Sequence, residues 1–324
     1  MKTAFVFPGQ GSQSIGMMQG YADNTTIRAT FEEASDILQQ DIWTLVADGP
    51  ESALNLTVNT QPIMLVADIA IYRAWQNAGG IKPAMLAGHS LGEYAALVVA
   101  EALDFADALQ LVRYRAQVMQ ESVPDGVGGM AAIVGLDDET VATLCQDVAR
   151  ELPTLSLTPA NFNAPGQVVI AGHKTAVLQG VALAKQKGAK LAVLLPVSIP
   201  SHCPLMREAA DRFSMMLQKV TLKPALIPIL HNVDFARHAM IEDIRRILGQ
   251  QLYCPVHWTK TIQIMVEQGV THIVECGPGK VLSGLIRRID KNPTGIVLSD
   301  IASLQQAVIT TRPCQETQSL DNAQ

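Results

Sequence analysis

A chain of 324 residues is about two domains' worth of polypeptide, and 48% hydrophobic against 17% charged residues excludes a disordered or fibrous protein. With 24 basic against 30 acidic residues the net charge is −6, the reverse of the basic surplus that a phosphate backbone attracts, which argues against a nucleic-acid partner. Five cysteines lie tens of residues apart with no CxxC pair, so neither a metal site nor a disulfide framework is expected and a reducing, cytoplasmic compartment is; no run of about 18 apolar residues suggests a membrane span or an export signal.

The first apolar run, Thr3 to Phe7, reads as a strand that ends at Pro8-Gly9-Gln10-Gly11. That loop opens like a dinucleotide fingerprint but carries Ser14 where the third glycine belongs, so it argues weakly for a bound cofactor. A second strand, Ala84 to Ala87, runs into Gly88-His89-Ser90-Leu91-Gly92 and then a helical stretch from Glu93 to Ala100. This is GxSxG between strand and helix, the context in which the glycines permit a strained turn that pushes a serine hydroxyl out of the backbone. Ser90 is the candidate nucleophile, and the Leu91 N–H, at a helix N-terminus, points where an oxyanion would form; the plainer reading is a turn with Ser90 as a helix cap.

The next helix spans Phe105 to Glu121 and sets Arg115 among Leu111, Val112, Val118 and Met119. A guanidinium on so apolar a face needs an anion, either a carboxylate of the protein or a carboxylate or phosphate of a ligand. From Gly126 to Pro196 the pattern changes. Strands at Met130 to Val134, Leu155 to Pro159, Gln167 to Ala171 and Lys190 to Pro196, with helices at Asp137 to Glu151 and Lys174 to Gly188, give the order βαββαβ of a ferredoxin-like unit.

A serine needs a base, and spacing leaves three candidates: His202 in the proline-bracketed Pro200-Ser201-His202-Cys203-Pro204, His173 in a turn, and His231 at a strand end. An unperturbed imidazole titrates near 6.5, so acylation is expected to fall as pH drops through about that value. Cys203, adjacent to His202, reads as a small buried hydrophobe rather than a reactive thiol. Two further strands, Leu226 to Leu230 and Thr271 to Glu275, end at His231-Asn232 and at Gly277-Pro278-Gly279. The latter lacks a P-loop's first glycine and its Ser or Thr, which sets ATP and GTP aside. Lys280, Arg287, Arg288 and Lys291 then gather on the following helix with one acid, Asp290. Thr310 to Gln324 shows no periodicity and reads as a loose tail.

These runs predict an α/β, hydrolase-like fold: a mostly parallel sheet flanked by helices over residues 1–125 and 198–309, an inserted ferredoxin-like subdomain over 126–197, and a flexible tail over 310–324. Five motifs in one order carry a family resemblance. They are Phe7-Pro8-Gly9-Gln10-Gly11-Ser12-Gln13, Gly88-His89-Ser90-Leu91-Gly92-Glu93-Tyr94, Val197 to Cys203, Gln251-Leu252-Tyr253-Cys254-Pro255-Val256-His257-Trp258, and Gly277-Pro278-Gly279-Lys280-Val281-Leu282. Together they resemble the malonyl-CoA:acyl-carrier-protein transacylases of bacterial fatty-acid synthesis over residues 1 to 305. The resemblance implies Ser90 as the acylated nucleophile, His202 as its base, Gln10 and Leu91 as oxyanion-hole amides, Arg115 as the grip on the malonyl carboxylate, and the Gln251 main-chain carbonyl as the group that orients the histidine. Cys254 and His257 depart from the Asn and Gln of close relatives. It further implies a monomer with no bound cofactor, malonyl-CoA as substrate and an acidic acyl carrier protein as partner. The same residues suit a trans-acting acyltransferase of a polyketide pathway, or a serine thioesterase or esterase in which water takes the acyl group.

Overall fold

The computed structural model describes residues 1–197 and 199–312. Strand β1 (Thr3–Phe7) is followed by α1 (Thr25–Leu38), α2 (Ile42–Asp48), α3 (Glu51–Leu54) and α4 (Thr57–Asn77) before β2 (Met85–Gly88), α5 (Gly92–Val99) and α6 (Phe105–Glu121). A second unit comprises β3 (Gly128–Val134), α7 (Asp138–Glu151), β4 (Leu157–Ala164), β5 (Gln167–His173), α8 (Lys174–Gln186) and β6 (Leu191–Leu194). The chain then returns through α9 (Arg207–Leu217), β7 (Ile229–Leu230), α10 (Ile241–Gln251), α11 (Trp258–Glu267), β8 (His272–Glu275), α12 (Val281–Ile289), β9 (Thr294–Val297) and α13 (Ile301–Thr311).

The larger sheet has the order β7-β2-β1-β8-β9, and every pairing in it is parallel. Its central strand is buried along its whole length because both faces are covered. Phe5 and Phe7 point into the helical cluster built on α4, α5 and α6, while Ala4 and Val6 join Met85, Trp258, Ile262 and Met265 on the opposite face. Strand alternation thus supplies two cores from five residues. The smaller sheet is antiparallel, ordered β4-β5-β3-β6, which is the ferredoxin-like arrangement. Helices α7 and α8 cover one face, and the other face packs Met130, Ala160, Val169 and Ala171 onto Cys203.

Several elements differ from the sequence-based expectation. The strand expected from Leu226 shrinks to Ile229–Leu230, since Pro228 has no N–H to donate; its carbonyl accepts from Leu86 N at 2.8 Å and begins the pairing. Strand β4 starts at Leu157 rather than Leu155 and continues past Pro159 to Ala164, with irregular register on either side of Asn161 and Phe162. The Asn-Pro-Gly-rich composition of that stretch conceals a bulged strand. Strand β9 follows Asn292-Pro293 and pairs with β8, an element too short to announce itself. The helix ending at Thr311 includes two residues expected in the tail; a capping box at Asp300 and Ser303 starts it, and Leu304, Ala307, Val308 and Thr311 form its buried stripe. Residues 313–324 of that expected tail lie outside the described residues. Among the described residues no helix is long and apolar enough to cross a membrane, and no cluster of three or more His, Cys, Asp or Glu side chains is placed to hold a metal ion.

Candidate active site

Strand β2 delivers Gly88-His89-Ser90 to the carboxyl edge of the parallel sheet, where open α/β folds bind ligands. Ser90 has φ +51°, a left-handed conformation that costs a residue with a β-carbon about 1 kcal/mol or more. The glycines make the turn possible by close packing. A β-carbon on Gly88 would stand 1.9 Å from the Gly92 carbonyl carbon, and one on Gly92 would stand 2.1 Å from the Phe7 carbonyl oxygen. Helix α5 can therefore seat directly on β1 and β2, and the serine is pushed outward.

His202 reaches the elbow from the other unit's side. It follows β6 on a loop anchored by its own N–H to the Leu252 carbonyl at 2.9 Å and by Cys203, whose Sγ lies 3.0 Å from the Pro200 carbonyl oxygen. Its Nε2 is 2.8 Å from Ser90 Oγ, and its Nδ1 is 2.7 Å from the Gln251 carbonyl oxygen. A carbonyl can only accept, so Nδ1 carries the proton and Nε2 is left as the acceptor for the Ser90 hydroxyl. Burial, then the nearby Arg115 cation, pulls the His202 pKa down to about 3. The rival histidines are engaged elsewhere. His173 Nδ1 accepts from Ser156 N at 2.8 Å in the small sheet, and His231 Nδ1 lies 2.6 Å from Glu93 Oε1.

Arg115, projecting from α6, is 2% exposed. Its Nη1 donates to Gln61 Oε1 at 2.7 Å, and its Nη2 to Gln251 Oε1 at 3.0 Å and to Ser90 Oγ at 3.3 Å. These partners are neutral, and no carboxylate pairs with it among the described residues. Of the two anions that its apolar setting demanded, one supplied by the protein is missing. A buried cation beside a nucleophile is thus free to take a ligand's carboxylate.

The Gly9 loop lies against the elbow: a β-carbon there would stand 2.5 Å from the His89 carbonyl oxygen and 3.5 Å from Leu91 N. Gln10 and Leu91 are thereby brought together, and neither N–H has a hydrogen-bond acceptor among the described residues. The Gln10 side chain is held back by Thr57, whose hydroxyl donates to its Oε1 at 2.8 Å.

Sequence reasoning did not find the polar network beneath the site. Glu93, fully buried in the first turn of α5, receives the Gln251 amide at 2.7 Å, the Asn232 N–H at 3.2 Å and His231 Nδ1. Asn232 accepts from Ser90 N at 2.6 Å and donates to Gly88 O at 2.6 Å. Gln251 also donates to Ser90 O at 3.0 Å, so its side chain has contacts as well as its carbonyl. Asn163, on the concealed half of β4, sits 2.8 Å from His89 Nε2. The signal that was available is polarity in an apolar context: Gln61 lies within α4, and Glu93 within an otherwise apolar helix.

An acyl transferase domain profile matches residues 4–306. The malonyl CoA-acyl carrier protein transacylase of Escherichia coli strain K12 is 50% identical over 306 residues, covering 94% of this chain and 98% of that one. The crystal structure of an acyl-carrier-protein S-malonyltransferase from Burkholderia pseudomallei 1710b is 52% identical, with TM-score 0.93 and coverage of 95% and 100%. A structure of a type II PKS acyl-carrier protein in complex with its malonyl-transacylase matches at 46% identity and TM-score 0.93, with coverage of 96% and 100%.

Proposed function

Because the chain belongs to the malonyl CoA-acyl carrier protein transacylases, we propose that it moves a malonyl group from malonyl-CoA to the phosphopantetheine thiol of an acyl carrier protein through an ester on Ser90, supplying fatty-acid synthesis. The observation that carries this reading is the buried, carboxylate-free Arg115 within 3.3 Å of the same oxygen that hydrogen-bonds His202.

In the first half-reaction, Ser90 Oγ attacks the thioester carbonyl as its proton passes to His202 Nε2. The Gln251 carbonyl, accepting from Nδ1, stabilises the imidazolium that forms, the part an Asp takes in other triads. The tetrahedral oxyanion is taken by the free N–H groups of Gln10 and Leu91. Collapse breaks the C–S bond, and the His202 proton leaves with the CoA thiol. The second half-reaction runs these steps backwards with the carrier protein's thiol as nucleophile. Throughout, Arg115 pairs with the distal carboxylate of the malonyl group, which places the reacting carbonyl over Ser90. That pairing also offsets the cation that keeps His202 weakly basic, so the base strengthens as the correct substrate seats.

Intact mass tests the reading. Brief mixing with malonyl-CoA adds one malonyl group to the wild type and none to Ser90→Ala, and addition of carrier protein removes it. An adduct on Ser90→Ala refutes the assignment of the nucleophile, and loss of the adduct to water at the same rate without carrier protein makes the chain a thioesterase.

A further inference from the structure

We propose that Asn232 is a positioning residue for the nucleophile, its side-chain amide holding Ser90 in the left-handed turn from which the hydroxyl can reach His202. The inference rests on the reading of Ser90 above. At the elbow the backbone has left β2, which ends at Gly88, and has not entered α5, which begins at Gly92. The Ser90 N–H and the Gly88 carbonyl therefore have no partner within either element, and a buried peptide group left unpaired costs about 1–3 kcal/mol. Asn232 supplies both partners. Oδ1 accepts from Ser90 N and Nδ2 donates to Gly88 O, each at 2.6 Å, so one planar amide spans the turn as a neighbouring strand's peptide unit would.

The amide can do this because it is itself fixed. Asn232 follows β7, the edge strand beside β2, and is 1% exposed. Its N–H is bound by Glu93 Oε2, and its carbonyl accepts from His257 N at 3.0 Å. Glu93 also receives Gln251 Nε2, and the Gln251 carbonyl orients His202. One buried carboxyl thus ties the residue that sets the serine to the residue that sets the base. Asn232 has no hydrogen bond to Ser90 Oγ, His202 or Arg115, so its influence runs through the backbone of residue 90.

The test is the single-turnover rate of Ser90 malonylation by malonyl-CoA, followed by intact mass. Asn232→Ala frees the turn, and a nucleophile displaced by about 1 Å loses about a hundredfold. The expected pattern is that loss in the acylation rate, with the concentration of malonyl-CoA at half-maximal rate unchanged. Asn232→Asp gives a readout that a merely structural role does not move. A protonated carboxyl has the same acceptor and donor as the amide, whereas the ionised form turns an oxygen toward Gly88 O. The ratio of the variant's rate to that of the wild type therefore rises as pH falls. Glu93, His231 and His257 against its segment, and His202 and Arg115 across Ser90, are present in both enzymes, and in the variant they set the pH at which the new carboxyl ionises. Asn232→Ala acylating within threefold of wild type, or a pH-independent ratio for Asn232→Asp, overturns the inference. Failure of the wild type to acylate overturns instead the reading of Ser90.

Discussion

Replacing Arg115 by Met keeps an unbranched buried side chain of similar reach and removes only the fork and its charge. A charge-assisted hydrogen bond contributes about 1.5–3 kcal/mol, and about 1.4 kcal/mol is a tenfold change in rate, so kcat/KM for malonyl-CoA falls roughly ten- to a hundredfold. Acetyl-CoA has no distal carboxylate to lose, and its transfer holds or rises, because the variant pocket no longer carries an uncompensated cation. Folding stability changes little. The substitution strands Gln61 Oε1 and Gln251 Oε1, at about 1–3 kcal/mol each, but it also relieves a fully buried guanidinium whose Nε has no hydrogen-bond partner among the described residues. With the cation gone, one of the two main causes that depress His202 is gone as well, so the acid limb of the variant's acylation profile moves to higher pH. Steady-state transfer with each acyl-CoA, at matched protein concentration and verified thermal midpoint, is the assay. Equal losses for malonyl and acetyl refute the argument and make Arg115 a structural residue.

The wild-type acylation rate stays flat from about pH 7 to about pH 5, because the depressed His202 remains neutral there; a limb near 6.5, the value expected of an unperturbed imidazole, contradicts the burial argument. Asp68, fully buried on α4 with neither carboxyl oxygen hydrogen-bonded among the described residues, is pushed well above its ordinary value by burial and then by Glu275. A raised carboxyl pKa means the folded protein holds a proton that the unfolded chain loses above about 3.9, so stability drains away as pH rises. Asp68→Asn abolishes that drain, and its thermal midpoint relative to wild type climbs between about pH 5 and about pH 8; a constant difference sinks the idea. Arg287 and Arg288 are exposed at the end of α12, and Arg287→Glu with Arg288→Glu raises the KM for an acidic carrier protein and weakens its salt dependence while malonylation is unchanged; a wild-type KM at low salt moves the docking surface elsewhere.

What the sequence disclosed was local. The elbow could be read because its glycines, strand and helix are consecutive, and the buried face of α6 because Arg115 interrupts a helical period. Spacing left the choice among His202, His173 and His231 open, and only the family resemblance named His202, because the pairing with Ser90 joins residues 112 positions apart through a loop that only the assembled fold places. Asn232 escaped for the same reason, and the polarity of Glu93 in an apolar helix could mark it without naming its partners, because these lie about 140 residues away. The second half of β4 was hidden by Asn161, Asn163 and Pro165, residue types that favour turns, until its pairing with β5 and with Val256 overrode them.

The nucleophile and its base follow strands of different sheets. Ser90 sits on the turn just past a strand of the parallel one, whereas His202 follows the last strand of the small one on a loop whose Cys203 is pressed under that sheet's inner face. Neither sheet alone contains a working pair. During refolding, regained activity therefore counts only molecules in which both sheets have formed and then joined, and it trails any signal that reports helix and strand content. The seam at Ala160, Phe162 and Val256, where main-chain hydrogen bonds of 2.9 Å tie β4 to the segment before α11, is part of the joining that this clock records. Loosening it slows the return of catalysis without altering a single group at the chemistry.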